Sequence, residues 1–186
     1  MSALANKEKI IYTIGHSNRS LEEFLQLLLA FNIELLVDIR RLPGSRKYPH
    51  FDKEQLSGTL PAHGIDYIHL EALGGRRKSS ALPVNPAWRN ASFGAYAAYM
   101  ETKEFEDAIA DLQKTALQLR VAYMCSEAVW WSCHRALVSD FLKLRGWKVL
   151  HIMTPKSAKE HPWTSPAVIE NGRLVYKSKQ DPASGS

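Results

Sequence analysis

The residues best suited to chemistry lie between Cys125 and Arg135, in the order Cys-Ser-Glu-Ala-Val-Trp-Trp-Ser-Cys-His-Arg. This short segment contains two thiols, a carboxylate, an imidazole, a guanidinium group and two indoles. Thiolates and carboxylates act as nucleophiles or proton acceptors, and a guanidinium group binds carboxylates and phosphates through paired hydrogen bonds. The segment is therefore predicted to form part of a functional site.

The neighbouring residues indicate where this segment lies in the fold. An apolar stretch over residues 119–124 precedes it, and apolar residues at helical spacing follow it from Ala136 to Leu144. The segment is therefore predicted to occupy a turn between a strand and a helix. In parallel α/β sheets, ligands bind at the carboxyl ends of strands, beside helix N-termini that favour anions.

The rest of the chain alternates short apolar runs with amphipathic segments. Strands are predicted over residues 10–14, 33–39, 65–70, 119–124 and 147–152, with an added edge strand over 173–176. Helices are predicted after a capping box at Ser20 and Glu23, over residues 52–64, over 94–118 with a break near Thr102, and before Gly146. This alternation predicts an α/β fold: a single three-layer domain whose mostly parallel sheet of about five strands is flanked by helices.

The domain is predicted to span residues 10–153, with residues 154–180 as an extension packed on it and residues 1–9 and 181–186 as flexible ends. A chain of 186 residues is long enough for one substantial core. Its first residues lack the apolar core of a signal peptide, and no segment approaches the roughly 20 apolar residues that span a bilayer. We therefore expect a cytoplasmic protein without a membrane partner.

The charge of the chain favours an anionic partner. The net charge is +5 and the pI is about 9.2. Basic residues are concentrated in segments 40–47 and 76–78, neither of which lies on a predicted helix face. We expect these segments to bind an anionic small molecule or a nucleic acid; the alternative is that they serve solubility and surface ion pairs.

Every predicted strand ends in polar or ionisable residues. If the sheet is parallel, these ends share one edge, and side chains that are distant in sequence converge there. A shared site explains five polar strand ends better than the general need of strands to end in polar residues. The residues concerned are His16, Ser17, Asp38, Arg40, His69, Glu71, Cys125, Glu127 and His151.

Glu127 is predicted to be a catalytic acid, base or nucleophile. Its position beside Trp130 and Trp131 predicts desolvation, which would raise the pKa of the carboxyl group towards neutrality. Such a group suits proton transfer or glycosyl transfer. The alternative is a structural carboxylate that pairs with Arg40 or Arg135, or that caps the following helix.

His16 and Cys125 are further catalytic candidates. His16 follows a glycine in the first strand-to-helix turn, where it would bind substrate, shuttle a proton or bridge two loops. Cys125 is either a thiolate activated by a helix N-terminus and nearby cations or a small core residue. Together with Cys133 and His134 it makes a conceivable metal set, but the spacing is not that of a zinc knuckle or ribbon and a fourth ligand is lacking. We therefore predict neither a metal nor another cofactor.

Arg40 and Arg135 are the best candidates for binding an anion, because a guanidinium group stays charged and binds in a bidentate manner. Ser17 and Asp38 are assigned to the same site, with the alternatives that Ser17 supports its turn and that Asp38 pairs with the neighbouring arginine. Trp130 is predicted to stack on a base or sugar, unless it is the core member of its tryptophan pair.

Several ordered motifs together resemble the DUF488 family, a domain of unknown function. The resemblance covers roughly residues 10–153 and implies a small α/β protein whose signature residues lie where an enzyme would have its site. The matching motifs are Tyr12-Thr-Ile-Gly-His-Ser17, Val37-Asp-Ile-Arg40 with Pro43 and Ser45, His63-Gly-Ile-Asp-Tyr67 before Leu73-Gly-Gly75, and Cys125-Ser-Glu127 with Cys133-His-Arg135.

The leading hypothesis is an enzyme that acts on a phosphate-bearing substrate, such as a nucleotide or nucleic acid. A hydrolase or transferase of N-glycosidic bonds fits best, because it needs a carboxylate, an aromatic face and an anion site but no redox cofactor. One alternative is thiol or metal chemistry at Cys125, Cys133 and His134. Another is a noncatalytic nucleic-acid-binding module that uses Arg46, Lys47 and residues 76–78.

Overall fold

The computed structural model describes residues 8–77 and 84–178, and within them it confirms the predicted α/β fold. A six-stranded sheet has the order β3-β2-β4-β1-β5-β6, and every neighbouring pair except β5 and β6 is parallel. A separate two-stranded sheet pairs β7 with β8. The strands are β1 (Ile10–Gly15), β2 (Leu35–Asp38), β3 (Asp66–His69), β4 (Val121–Cys125), β5 (Lys148–Thr154), β6 (Ser157–Glu160), β7 (Ala167–Glu170) and β8 (Arg173–Tyr176).

Helices cover both faces of the six-stranded sheet, because each face buries its own apolar cluster. One cluster contains Phe24 and Leu56 from the first two helices, and the other contains Tyr96, Phe105 and Leu137 from the remaining three. The helices are α1 (Leu21–Ala30), α2 (Lys53–Thr59), α3 (Ala91–Tyr99), α4 (Lys103–Ala116) and α5 (Arg135–Leu144).

Local capping signals explain where several helices begin and end. Ser20 and Glu23 form the predicted capping box at the start of α1. Thr102 accepts a hydrogen bond from the backbone N–H of Phe105 and so separates α3 from α4, as predicted. Gly64 and Gly146 adopt positive φ angles of 73° and 81° shortly after helical segments, a conformation that glycine enters without steric cost.

The C-terminal strands differ from the predicted arrangement. Arg173–Tyr176 forms a strand, but it pairs with β7 in the small hairpin and not with the main sheet. The edge beside β5 is taken by β6, which runs antiparallel to it. The sequence of β6, Ser-Ala-Lys-Glu, has almost no apolar residues, so periodicity gave no signal for this strand. The predicted flexible ends lie largely outside the described residues.

The strand order places three carboxyl ends side by side. β4 lies between β1 and β2, with Gly15 opposite Cys125 and Asp38 opposite Met124. The segments that follow these strands remain joined, since the backbone N–H of His16 donates to the carbonyl oxygen of Cys125 at 3.1 Å. Residues that follow β1, β2 and β4 therefore meet at one edge of the sheet.

Gly15 makes this close approach possible. A Cβ atom at this position would lie 1.7 Å from the carbonyl oxygen of Glu127 and 2.8 Å from Nη2 of Arg135. Any side chain would therefore push the turn after β4 away from the end of β1.

Among the described helices, none has the length and apolar character needed to cross a membrane.

Candidate functional site

A cavity of about 800 Å³ opens at the carboxyl ends of β1, β2 and β4. Its wall combines residues from the turns after these strands with residues from the loop that precedes α3 and from α3 itself. This position agrees with the expectation that an α/β sheet binds ligands at the edge where its strands end. The predicted residues that line it are His16, Ser17, Arg40, Cys125 and Glu127.

Basic side chains dominate the charge of the cavity wall. Arg41, Lys47 and Arg76 line it, and none of the three forms an ion pair with another described residue. Arg41 donates to the carbonyl oxygen of Arg76 at 3.1 Å, which joins the two basic segments identified in the sequence. Glu127 is the one carboxylate among the described lining residues. The cavity is therefore positively charged and suited to an anion.

The two basic segments contribute unequally to this wall. Arg46 is exposed and does not line the cavity. Arg77 donates to the backbone carbonyl oxygens of Gly74 and Ala72, and its guanidinium lies 3.7 Å from the centre of the Tyr99 ring. Lys78 lies outside the described residues.

Arg40 also lines the cavity, but Asp38 and the carbonyl oxygen of Phe51 accept hydrogen bonds from its Nε and Nη2. The Asp38 carboxylate is fully buried and accepts hydrogen bonds from Nε and Nη2 of Arg40 at 2.9 and 2.6 Å. Tyr67 donates a further hydrogen bond to Asp38 at 2.7 Å. This is the ion pair that the sequence offered as the alternative for Asp38, and it leaves Nη1 of Arg40 directed towards His16 at 3.3 Å.

His16 is held in a defined tautomer at the cavity wall. Its Nδ1 lies 2.8 Å from the carbonyl oxygen of Ser17, so Nδ1 carries the proton and Nε2 accepts from Arg40. The ring stacks on Phe51 with a centroid distance of 4.3 Å. Burial lowers the pKa of His16 to about 4, so the ring is neutral at physiological pH. Ser17 has a positive φ of 54° and shapes the same turn.

Three side chains form the buried end of the cavity, which we call the floor cluster: Cys125, Cys133 and His134. Their Sγ and Nδ1 atoms all lie within 4.8 Å of one another. Sγ of Cys125 is 3.9 Å from Nδ1 of His134, a contact that is long for a hydrogen bond. Nε2 of His134 donates to the carbonyl oxygen of Ile39 at 3.0 Å.

The two thiols of the floor cluster have pKa values that are shifted in opposite directions. A hydrogen bond from Cys133, together with His134 and Arg135, lowers the pKa of Cys125 well below its usual value. Burial and the neighbouring Cys125 sulfur raise the pKa of Cys133. One thiolate therefore forms readily at Cys125, while Cys133 keeps its proton.

Arg135 lies outside the cavity, although it follows His134 directly. Its side chain is 1% exposed, and Nη2 donates to the carbonyl oxygen of Glu127 at 2.5 Å. Nε donates to Sγ of Cys133 at 3.2 Å. Arg135 thus holds the turn after β4 in place from behind, whereas the sequence assigned it to the anion itself.

Arg135 begins a chain of buried hydrogen bonds, which we call the buried relay: Arg135, Thr13, His151, His161 and Asp140. The successive contacts measure 3.1, 2.9, 2.9 and 3.0 Å. Arg135 can only donate and the Asp140 carboxylate only accept, so each group between them accepts from one side and donates to the other. Burial lowers the pKa of His151 to about 2, which keeps this ring neutral.

The remaining predicted residues occupy surroundings that the sequence did not anticipate. Glu127 is exposed, so its carboxyl group is not desolvated as expected. Trp130 stacks on His151 at 4.7 Å and does not line the cavity. Trp131 is 56% exposed. The aromatic side chains that do line the cavity are Tyr48, Phe93 and Tyr96.

Sequence reasoning missed most of the buried relay. Thr13 lies inside β1 and Asp140 lies in the middle of α5. At neither position does the sequence pattern indicate a functional residue. His161 lies in the segment that had no assigned role. The one available signal was His151 at a strand end, which we placed at the site edge.

The family comparison confirms the family that the sequence motifs indicated, although the motif from Tyr12 to Ser17 precedes the matched residues. The model of one family, described as "Domain of unknown function DUF488", matches residues 20–142. No curated protein and no solved structure matches the chain. The matched range runs from α1 into α5 and includes the floor cluster, whereas β1 precedes it and β5, β6 and the small hairpin follow it.

Proposed function

The chain belongs to the DUF488 family, and we propose that it is an enzyme that acts on a phosphate-bearing substrate, such as a nucleotide. The observation that carries this proposal is the basic cavity at the strand ends, where Arg41, Lys47 and Arg76 face a shared space with Glu127 and Cys125. Its volume of about 800 Å³ falls within the range of small-molecule sites.

The phosphate is bound by Arg41, Lys47 and Arg76, the cavity cations that form no ion pair with another described residue. Arg41 and Arg76 provide planar guanidinium groups for bidentate contacts with phosphate oxygens, and Lys47 adds a mobile charge. Arg40 contributes less than the sequence suggested, because Asp38 already neutralises it. Arg135 acts by holding the turn after β4, not by touching the anion.

Glu127 is the acid or base of the proposed reaction. It is the sole carboxylate on the described part of the cavity wall, and its exposure gives it access to the water that a hydrolase consumes. Cleavage of an N-glycosidic bond suits this arrangement, since Tyr48 and Phe93 offer aromatic faces to a base while the cations hold the phosphate.

The test compares nucleoside 5′-monophosphates with the matching nucleosides as substrates, with release of the base followed by chromatography. We expect turnover of the phosphorylated compounds alone. Replacing Glu127 by Gln should abolish turnover and leave binding intact. If Glu127→Gln retains full activity on the identified substrate, the role assigned to Glu127 is wrong.

A thiol enzyme is the second candidate, favoured by the lowered pKa of Cys125 at the buried end of the cavity. A thiolate in this position would attack an electrophilic group of the bound substrate. The two candidates differ in the residue that matters: Cys125→Ser abolishes thiol chemistry, whereas Glu127→Gln abolishes acid–base chemistry.

A noncatalytic nucleic-acid-binding role is less well supported. The cations surround the mouth of a cavity, and Arg77 of the second basic segment is used internally. Steep loss of polynucleotide binding with added salt, together with no turnover of any nucleotide, would favour that role.

A further inference from the structure

We propose that the floor cluster of Cys125, Cys133 and His134 is a binding site for a zinc-type divalent metal ion, with its fourth coordination position open to the cavity. Metal binding itself does not depend on the proposed function. Only the use of the metal in hydrolysis rests on it.

The first argument is distance. The Sγ atoms of Cys125 and Cys133 and Nδ1 of His134 lie within 4.8 Å of one another, and the Cys125–His134 contact is 3.9 Å. Tetrahedral zinc has bonds of about 2.3 Å to sulfur and 2.0 Å to nitrogen, which separates its ligand atoms by about 3.5 to 3.8 Å. Small rotations of the side chains therefore bring all three atoms into bonding range.

The second argument is the tautomer of His134. Its Nε2 donates to the carbonyl oxygen of Ile39 at 3.0 Å, so the proton is on Nε2 and Nδ1 presents a lone pair. That lone pair faces the two thiols. Metal-binding histidines commonly use their second nitrogen in this way, because a bond to a backbone carbonyl fixes the ring and increases its basicity.

The third argument is the space beside Nδ1. Gly75 packs against the imidazole so closely that a Cβ atom there would lie 2.7 Å from Nδ1 of His134. Gly75 has no positive φ angle, so backbone conformation does not require glycine at this position. The absence of a side chain instead keeps the nitrogen accessible from the cavity.

The fourth argument is charge. Two thiolates and one divalent ion form a neutral set, which lowers the cost of burying the charges. Nε of Arg135 donates to Sγ of Cys133 at 3.2 Å, so a metal-bound thiolate at Cys133 would accept a charge-assisted hydrogen bond from Arg135. Each charge thus has a partner.

The ligand types identify the class of metal. Thiolates and imidazole suit Zn²⁺ and disfavour Mg²⁺ and Ca²⁺, which prefer oxygen ligands. Three protein ligands with an open position are typical of catalytic zinc, whereas structural zinc has four. All three ligands line the cavity, so the open position faces the substrate space. There the metal would lower the pKa of a bound water to about 7.

The test measures metal content and cobalt spectra on the full chain, purified without a histidine tag and kept reduced. We expect one Zn²⁺ per chain by elemental analysis. Titration with Co²⁺ should give a thiolate-to-cobalt charge-transfer band and the visible bands of a tetrahedral ion. Cys133→Ser should remove the charge-transfer intensity of one thiolate and weaken binding at least tenfold.

Gly75→Ala provides a second variant, which leaves all three ligands in the chain but places a methyl group against Nδ1. It should also weaken Co²⁺ binding about tenfold. His63→Gln is the matched control, since His63 is exposed and remote from the cluster, and it should bind as the wild type does. Circular dichroism of each variant verifies folding.

The outcomes separate the two proposals. A folded, reduced wild type that takes up neither Zn²⁺ nor Co²⁺ overturns the metal site, as does wild-type binding by a folded Cys133→Ser variant. Hydrolysis by a folded, reduced protein that takes up neither ion would reject the metal site and leave the proposed function standing. Stoichiometric metal without turnover of phosphorylated substrates would support the site and count against the function.

Discussion

The floor cluster and the buried relay contain two consecutive residues, His134 and Arg135. The two groups nevertheless differ in how completely their polar atoms are hydrogen-bonded. His134 belongs to the floor cluster and lines the cavity, whereas Arg135 enters the relay and is 1% exposed. Every contact along the relay measures between 2.9 and 3.1 Å, but the contact between Cys125 and His134 in the floor cluster is 3.9 Å. The polar atoms of the relay are thus paired with one another, whereas the looser contact in the floor cluster is the basis of the proposed metal site.

This difference distinguishes polar groups that stabilise the fold from polar groups that remain able to bind a ligand. A buried chain that is saturated with hydrogen bonds has no capacity to bind anything further, so its role is to fix geometry. A group of polar atoms at the wall of a cavity, with long mutual contacts and a basic rim, retains that capacity. The predictions below test this contrast.

The largest effect is expected from removing the negative end of the relay. Asp140→Asn removes the carboxylate that accepts hydrogen bonds from His161, Thr164 and Tyr176, and loss of these buried charge-assisted contacts should lower the free energy of unfolding by about 3 kcal/mol. Asp107→Asn is the control, because Asp107 pairs with Lys103 at the exposed surface, where an ion pair contributes little to stability. Urea unfolding measures both variants. Equal small losses would show that the relay is not structural.

The next largest effect is a loss of folding stability at low pH. The pKa values of His16 and His151 are lowered to about 4 and about 2, so the unfolded chain binds protons at these rings before the folded chain does. Stability should therefore fall as the pH drops below about 6.5, and the part of this loss due to the His151 ring should be about 2 kcal/mol at pH 5. Unfolding midpoints at pH 7 and pH 5 measure this loss. A His151→Asn variant should lose less than the wild type over the same range.

A smaller effect is expected from the cavity rim. Arg76→Ala should weaken binding of nucleoside 5′-monophosphates about tenfold, because one bidentate phosphate contact is lost. Arg46→Ala is the control, since Arg46 is exposed and lies outside the cavity. Calorimetric titration measures affinity, and unfolding curves should remain unchanged for both variants. Equal weakening by both substitutions would mean that the rim does not form a specific anion site.

The smallest effect separates the two thiols of the floor cluster in the metal-free protein. Because the pKa of Cys125 is lowered, its alkylation should already proceed at pH 6, whereas the raised pKa of Cys133 keeps that residue unreactive. The basic rim should favour anionic iodoacetate over neutral iodoacetamide severalfold at Cys125. Mass spectrometry locates the modification. Preferential labelling of Cys133 would show that Cys133, and not Cys125, is the thiol with the lowered pKa.

Much of the fold was predictable because its signals are local. Ser20 with Glu23 and the cap at Thr102 depend on neighbouring residues, and the apolar runs of β1, β2, β4 and β5 are short and continuous. β6 was not predictable, because a polar edge strand is specified by its partner β5 and not by its own residues.

The candidate site was predictable in position but not in detail. Polar strand ends identified the correct edge of the sheet, and His16, Arg40, Cys125 and Glu127 meet there. The sequence did not predict which of these side chains are buried or which groups they bind. Asp38 neutralises Arg40 through a short-range pair that the sequence could only offer as an alternative.

The sequence by itself determined the alternation of strands and helices, the family, and the edge at which chemistry-bearing residues collect. Only the tertiary structure decided which of these residues face the cavity. His134 and Arg135 are consecutive, and the direction of each side chain depends on where Ile39, Thr13 and the relay lie in space. Periodicity and capping act over a few residues, whereas desolvation and hydrogen-bond pairing depend on contacts between distant groups, such as Thr13 and His151, which are 138 residues apart.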